Sequence, residues 1–415
     1  MAIIDKKKEM GTVASNNCSD YVRVVNSDEE KKQLKIEKIR KYLLRRLSHF
    51  KGVIKLDDFT EQELDEILFN YRTIGKKEAK SFALPIEVLR KIDMSNVSFK
   101  DFYARGVDFS ELTGVRIDPN QIYDRYYCDV NFSGVKFLDE VSSAFLEGCK
   151  FAGSENAVIG DDVRYGGANN FADVTFKAPI TSGILNDSNF AGSKGAVIEL
   201  GEGKVSLIMD CCLKDATIKG NLIGCIIKGA DFRGASTSDN EKIELYPEKI
   251  APEDAYASHI KNFSDCHFAG VKFMGPIAGK NLYKMRGADF TGSEGAIIYP
   301  DIVFDYDYRD CKLAGVSFIP DMDIVSANLE GADFTGSVGA VINNRQGSIA
   351  NANLSDTAIR FTDPDVIFDI YGINSATYNG KKFKTVFKDT IAKDYDDPIK
   401  TYTKKINAAI VKASE

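Results

Sequence analysis

Large apolar residues return every five positions over most of this 415-residue chain. That spacing fits neither the 3.6-residue turn of an α-helix nor the two-residue alternation of a β-strand. It fits a square coil with four sides of five residues each, whose large side chains fill the axis. We expect this core to contain Phe109, Phe132, Phe151, Phe171, Phe190, Leu213, Phe232, Phe268, Phe290, Leu313, Leu329, Phe334 and Leu354.

A second pattern of small residues supports the same coil. Two positions before most core residues stands a small side chain, as at Cys149, Ala230 and Ala332. Because alternate residues of an extended chain face the same side, both positions should point inward. The small residue then leaves room for its large neighbours.

Two kinds of coil alternate along the chain. A short coil has a second apolar residue five positions after the core residue, and a long coil has an Ile eight positions after it, as at Phe151 and Ile159. In the coil that begins at Phe232 we assign this position to Ile243, displaced by three residues. The extra residues of the long coils should form an outward ridge along one corner.

These residues resemble the pentapeptide-repeat family, whose consensus is Ala, Asp or Asn, Leu or Phe, and two freer positions. Segments 288–292 and 332–336 read Ala-Asp-Phe-Thr-Gly, and segment 327–331 reads Ala-Asn-Leu-Glu-Gly. The resemblance covers about residues 94–360. It implies an all-β solenoid with helical caps, a right-handed quadrilateral β-helix, for which the spacing predicts about 12–13 coils.

Both ends of such a stack need caps, because the terminal coils expose unpaired strand edges and an open core. An amphipathic pattern predicts a helix in 31–50, Thr60 and Glu63 form a capping box before a helix that we extend to Tyr71, and Pro85 begins a third. Pro398 begins a helix near the other end. The expected organisation is a disordered tail (1–30), an N-terminal helical cap (31–93), the β-helix (94–380) with a long loop (236–260), and a C-terminal helical cap (381–415).

The charge is unevenly distributed along the chain. The net charge is −7, yet residues 1–93 and 381–415 each carry +4, and the segment between them holds 25 Lys or Arg against 40 Asp or Glu.

No apolar run approaches the roughly 18–20 residues that span a bilayer, and no secretory signal is visible. We therefore expect a cytoplasmic protein without a transmembrane segment, with secretion as an effector left open.

Eight cysteines and three histidines are the candidates for catalytic or metal chemistry. His267 follows Cys266 at an outward position, so the two side chains should point apart. No CxxC pair and no phosphate-binding glycine motif occurs. We therefore predict no enzyme activity, no cofactor and no metal site. Five cysteines fall on the inward small-residue positions, where a thiol packs as a small apolar group: Cys149, Cys211, Cys225, Cys266 and Cys311.

Two outward features suggest a binding surface. Aromatic residues follow two long coils at matching positions when Phe109 is aligned with Phe290, and the 236–260 segment carries a cluster of carboxylates. Long loops on rigid scaffolds often carry function. The candidate partner-binding residues are Tyr123, Tyr127, Phe304, Tyr308, Glu244, Glu248, Glu253 and Asp254.

The leading functional hypothesis is a non-enzymatic interaction module, a rigid rod that binds a protein partner through the ridge. The family resemblance implies two alternatives: an acidic DNA mimic that binds a type II topoisomerase such as gyrase, and a bacterial effector or mobile-element protein that binds host proteins. We do not expect direct nucleic-acid binding. The basic helix in 31–50 could contact nucleic acid or anionic lipid, although a solvated cap face is favoured. Partner identity and oligomeric state stay open, and a dimer through a terminal cap is one alternative.

Overall fold

The computed structural model describes residues 28–74, 77–200, 204–205, 207–222, 225–237, 242–247, 250, 260–277, 282–299, 306–319, 323–324, 327–342, 348–359 and 374–386. The predicted tail before residue 28 and the helix predicted from Pro398 lie outside these residues. The helices are α1 (Asp28–Leu47), α2 (Glu61–Leu68), α3 (Ile86–Leu89) and α4 (Phe383–Val386). The strands are β1 (Phe69–Ile74), β2 (Lys77–Phe82), β3 (Arg116–Ile117), β4 (Tyr126–Cys128), β5 (Lys136–Phe137), β6 (Phe145–Glu147), β7 (Val158–Ile159), β8 (Arg164–Tyr165), β9 (Thr175–Phe176), β10 (Val197–Glu199), β11 (Thr217–Lys219), β12 (Ser236–Thr237), β13 (Ile243–Leu245), β14 (Ile260–Asn262), β15 (Val271–Phe273), β16 (Leu282–Lys284), β17 (Ile297–Ile298), β18 (Tyr306–Asp307), β19 (Ser317–Phe318), β20 (Asp323–Ile324), β21 (Ala327–Asn328), β22 (Val341–Ile342), β23 (Ala358–Ile359), β24 (Thr377–Tyr378) and β25 (Lys381–Lys382).

One continuous parallel ladder runs the length of the β-helix. It joins the residues that directly precede the core residues of successive coils, and each coil bonds the next, as where Phe132 N–H donates to Lys150 O at 2.8 Å. Thirteen rungs at about 4.8 Å each make a rod on the order of 60 Å long, in agreement with the expected number of coils. The rungs are Asp108, Asn131, Lys150, Asn170, Asn189, Cys212, Asp231, His267, Asp289, Lys312, Asp333, Asn353 and Thr377.

The axis of the rod is filled as the five-residue spacing predicts. All thirteen predicted core residues are at most 1% exposed. Their rings pack on each other between coils, with centroids 5.2 Å apart for Phe132 and Phe151 and 5.1 Å apart for Phe268 and Phe290. The small residues Cys149, Ala230 and Ala332 are fully buried beside them. The chain therefore forms a β-solenoid whose axis is filled by the residues of the five-residue spacing.

On another side of the coil, short parallel strands pair each long coil with the short coil that follows it, and we call this side the second wall. The Ile of a long coil pairs with the second apolar residue of the following short coil, as Ile117 with Phe137 and Ile159 with Phe176. The coil that begins at Phe232 corrects the assignment made from sequence. Strand β13 sets Leu245 opposite Phe273 and Ile243 opposite Val271, so Leu245 holds this position. The reason is a longer insertion, and part of the predicted 236–260 loop is therefore a strand of the wall.

Pairs of Asp and Gly in the left-handed conformation recur at one corner of the rod. Asp129 has φ 56° and Gly148, at the same corner one coil later, has φ 64°. A Cβ added to Gly148 would lie 2.5 Å from Oδ1 of Asp129, so this exposed carboxylate would have to turn aside. Glycine avoids the contact and adopts the left-handed φ without strain. The same neighbours recur at Asp210 and Gly229, Asp265 and Gly287, and Asp310 and Gly331.

The N-terminal cap contains the predicted helices and also a hairpin that the sequence did not predict. The Thr60 capping box is present, but α2 ends at Leu68 and Tyr71 lies in β1, so the extension of that helix to Tyr71 is wrong. The backbone becomes extended at Phe69. The Phe69 ring is buried, and its centroid lies 5.5 Å from that of Phe102. Strand β2 then joins the first coil, because Lys80 N–H donates to Asp101 O at 2.8 Å.

Two charged side chains connect the hairpin and α1 to α2 within this cap. Lys80 is 6% exposed and its Nζ lies 2.7 Å from Oδ1 of Asp65, which ties the hairpin to α2. Arg40 of α1 donates to Glu66 O, Ile67 O and Phe69 O at 2.7–2.9 Å and so satisfies the carbonyls at the end of α2. Burial lowers the pKa of this guanidinium.

Candidate functional site

A cluster of aromatic and arginine side chains covers the outer wall of the first coils, and we call it the Tyr–Arg patch. It arises because alternate residues of each strand point outward: Tyr127 of β4 is buried while Tyr126 is 43% exposed. Parallel pairing of β4, β6 and β8 then brings Tyr126, Phe145 and Arg164 side by side. The patch consists of Arg72, Tyr103, Arg105, Tyr123, Tyr126, Phe145 and Arg164.

Neighbouring side chains of the patch contact one another. The Arg72 guanidinium lies 4.7 Å from the ring centroid of Tyr103, and the rings of Tyr103 and Tyr123 are 6.1 Å apart. The Arg105 guanidinium lies 5.8 Å from the ring of Tyr126. The rings of Tyr126 and Phe145 stack at 4.6 Å with an interplanar angle of 13°. These contacts hold the exposed rings in fixed positions.

A groove of about 750 Å³ borders the patch. The hairpin contributes Lys77 and Glu78, and the first coils contribute the other lining residues, which are Lys100, Asp101, Asn120, Gln121, Ile122, Tyr123, Asp124, Arg125 and Ser143. The hydroxyl of Tyr123 donates to Ile74 O at 2.8 Å, so this side chain pins the end of β1 to the coil. The groove is therefore bounded by two elements that are fixed to each other.

The floor of the groove contains two consecutive residues in a rarely occupied conformation. Asp124 and Arg125 have φ of 49° and 50°, which costs on the order of 1–2 kcal/mol for each residue that is not glycine. Desolvation raises the pKa of Asp124, while Lys77 and Arg105 act in the opposite direction.

The structure places the predicted partner-binding residues in different environments. Tyr123 lies in the Tyr–Arg patch. Glu244 is half-buried in β13 and accepts a hydrogen bond from the Tyr246 hydroxyl at 3.2 Å, so it lies several coils from Tyr123. Tyr127 and Tyr308 are at most 1% exposed, so the prediction that they contact a partner is wrong. Both stand on the inward five-residue spacing, and the Tyr127 hydroxyl donates to Pro119 O at 2.9 Å. The other four predicted residues lie outside the described residues: Phe304, Glu248, Glu253 and Asp254.

The sequence reasoning found Tyr123 alone of the seven patch residues. It missed the three arginines, Arg72, Arg105 and Arg164, and three aromatic residues, namely Tyr103, Tyr126 and Phe145. The signal for Tyr126 was present, because it directly precedes a core tyrosine and alternation points it outward. The other two lie before the buried Ala104 and Leu146, so the same alternation would have found them.

The cysteines lie where the small-residue pattern puts them. The five cysteines at the inward small-residue positions are at most 1% exposed and have free thiols. Burial raises the pKa of Cys149, Cys211 and Cys266 to about 12. His267 and Cys266 point apart, since the Cys266 thiol donates to Ile227 O at 2.9 Å and Nδ1 of His267 lies 3.5 Å from Asp289 Oδ2.

The part of the chain that the structure describes offers neither a metal-ligand cluster nor a membrane-spanning helix. No group of three or more His, Cys, Asp or Glu side chains among the described residues could hold a metal ion. No helix in this part of the chain is long and apolar enough to cross a bilayer.

Comparison with known proteins found likeness to solved structures alone. No family model and no curated protein matched the chain. The solved structures include a trypsin-treated variant of QnrB1, described as a plasmid-mediated fluoroquinolone resistance protein, at 13% identity over 69% of this chain and 96% of that chain, with a TM-score of 0.16. Full-length QnrB1 matches at 13% identity over 69% and 97%, with a TM-score of 0.13. A second trypsin-treated variant matches at 13% over 67% and 93%, again with 0.13. At these scores the likeness carries no argument about function.

Proposed function

We propose that this chain is a non-enzymatic interaction module, a β-helical rod that binds a protein partner through the Tyr–Arg patch. The observation that supports it is the composition of the patch. Tyrosine and arginine are the residues that most often dominate binding energy at protein interfaces, together with tryptophan, which this chain lacks. Three arginines and four aromatic residues, half-buried or exposed, lie together here on one wall of adjacent coils and on β1 of the cap.

The rigidity of the wall favours binding. Tyr126 and Phe145 project from paired strands and stack on each other, so little side-chain freedom is lost when a partner covers them. The groove beside them gives the partner a concave surface to enter. The ridge segment that carries Tyr123 forms one border of that groove.

The patch suits a protein better than a single-stranded nucleic acid. Bases bind such surfaces by stacking on open aromatic faces. Here one face of Tyr126 is covered by Phe145 and the Tyr103 ring is covered by Arg72. A protein partner needs no open ring face, because it can pack on ring edges and accept hydrogen bonds from the guanidinium groups.

Affinity capture with the purified full chain tests this proposal. The bait is offered to a lysate of the source organism as wild type, as the double variant Arg105→Ala/Tyr126→Ala, and as Val338→Ala. Val338 is a matched control because it is 63% exposed and lies at the other end of the rod. Each alanine in the patch should weaken capture of the partner by about tenfold if it is a hot spot.

Specific proteins should be retained by wild type and by Val338→Ala and lost with the double variant. Capture that is the same for all three baits would contradict a role for the patch. Circular dichroism of the double variant, unchanged from wild type, shows that the fold survives the exposed substitutions.

A further inference from the structure

The outer face of α1 is exposed along the whole helix and differs from the rest of the surface in composition. Its orientation is fixed, because Ile36, Leu43 and Leu47 are buried against the cap and Arg40 is hydrogen-bonded to the end of α2. At 3.6 residues per turn, the side chains opposite these are Lys31, Leu34, Lys38, Lys41, Tyr42 and Arg45. All six are exposed.

Positive charge dominates this face. Four of its six side chains are Lys or Arg and none is a carboxylate. Lys38 and Arg45 form no ion pair within the described residues. Lys31 and Lys41 pair with Asp28 and Glu37 at 3.1 and 2.9 Å, but these pairs are exposed and weak, so the two lysines stay available to another anion. By contrast, Lys32 and Lys35, on the flank towards α2, pair with carboxylates of that helix.

Apolar side chains stand among these charges. Leu34 is 42% exposed and Tyr42 is 37% exposed on the same face. Just beyond the helix, Phe50 and Val53 are 39% and 47% exposed. A phosphate backbone gives such side chains no partner, whereas the headgroup region of a bilayer accepts Leu, Phe and Tyr beside Lys and Arg.

We propose that the outer face of α1 binds an anionic membrane surface, with the lysines and arginine on the lipid headgroups and Leu34 and Tyr42 at the acyl boundary. Each Lys or Arg close to an anionic leaflet strengthens adsorption roughly fivefold. The acidic β-helix does not cancel this attraction, because charges more than about 8–10 Å from the surface are screened at physiological salt. This binding site is separate from the Tyr–Arg patch and does not depend on the proposed function.

Sedimentation of the full chain with lipid vesicles tests the proposal. The probes are vesicles of phosphatidylcholine with phosphatidylserine, vesicles of phosphatidylcholine alone, and duplex DNA at the same salt concentration. The variants are Lys38→Glu/Arg45→Glu and Leu34→Ser/Tyr42→Ser. The control is Lys150→Glu/Lys194→Glu, which reverses the charge of two exposed lysines of the β-helix.

Wild type and the control should sediment with the phosphatidylserine vesicles and not with phosphatidylcholine alone. The Lys38→Glu/Arg45→Glu variant should bind at least about tenfold more weakly, and Leu34→Ser/Tyr42→Ser several-fold more weakly. Thermal unfolding like that of wild type shows that the exposed changes leave the fold intact. No binding to anionic vesicles, or equal loss with the control, overturns the proposal. Binding to duplex DNA that exceeds vesicle binding and is unaffected by Leu34→Ser/Tyr42→Ser overturns it in favour of a nucleic-acid site.

Discussion

Replacing Gly148 with Ala should destabilise the rod more than the same change at Gly134. Gly148 has φ 64°, and a Cβ there would lie 2.5 Å from Oδ1 of Asp129 in the preceding coil. Gly134 has φ 76°, and no atom lies within 4 Å of its added Cβ. The two variants therefore share the backbone strain, and Gly148→Ala alone adds a collision.

The magnitudes follow from these two terms. A left-handed conformation costs a residue with a Cβ roughly 1–2 kcal/mol, which is the expected loss for Gly134→Ala. The exposed Asp129 carboxylate can turn aside from the extra carbon, at about 0.5–1.5 kcal/mol for a strained rotamer. Gly148→Ala should therefore lose about 1.5–3.5 kcal/mol. Replacing Asp129 with Gly removes the colliding carboxylate and suits its own φ of 56°.

Urea unfolding followed by circular dichroism measures the free energy of unfolding of wild type, Gly134→Ala, Gly148→Ala, Asp129→Gly and the double variant. Adding Asp129→Gly to Gly148→Ala should recover about 0.5–1.5 kcal/mol relative to the sum of the single changes. Equal losses for the two alanine variants, or no recovery in the double variant, would refute the argument that the Asp129 carboxylate opposes a Cβ at position 148.

Three further outcomes are expected. Phe290→Ala should cost about 3–5 kcal/mol in urea unfolding because it empties a fully buried site. Cys211, whose pKa burial raises to about 12, should react with a thiol reagent only when the rod unfolds; labelling in native buffer, detected by mass spectrometry, would contradict this. Glu199 accepts hydrogen bonds from Lys204 and Lys219, which lower its pKa from 4.5 to about 2. The melting-temperature deficit of Glu199→Gln should therefore persist above about pH 4.5 and shrink as the pH falls towards 2.

The body of the rod was predictable from sequence because every coil presents the same environment. A position such as Phe132 or Phe290 must fill the axis in each coil, and the repetition makes the requirement visible without a structure. The prediction was wrong where the repeat is interrupted. The register at Leu245 depends on how an insertion is absorbed. Strand β1 begins at Phe69 because the chain there pairs with β2, which joins the first coil, rather than continuing α2.

The candidate site was only partly predictable. Tyr127 and Tyr308 were assigned two incompatible roles, as core residues by the five-residue spacing and as partner contacts by their aromatic type. Both side chains are buried, so they are core residues and not partner contacts. Contacts such as those of Arg72 with Tyr103 join segments far apart in the chain, and a one-dimensional pattern does not show which outward residues meet.

The outward ladder explains why carboxylates alone do not make this rod a mimic of DNA. Asp289 accepts the N–H of Thr291 through Oδ1 at 3.0 Å, and Asn131 accepts the N–H of Ser133 in the same way at 3.1 Å. At these rungs a short side chain with an acceptor oxygen stabilises the turn that follows, and an amide serves as well as a carboxylate. A mimic of the phosphate backbone requires regularly spaced negative charge. The ladder instead contains four Asn rungs and Lys150 and Lys312 among its aspartates. The acidic rungs are therefore explained by turn geometry, which leaves the Tyr–Arg patch as the surface whose composition the fold does not require.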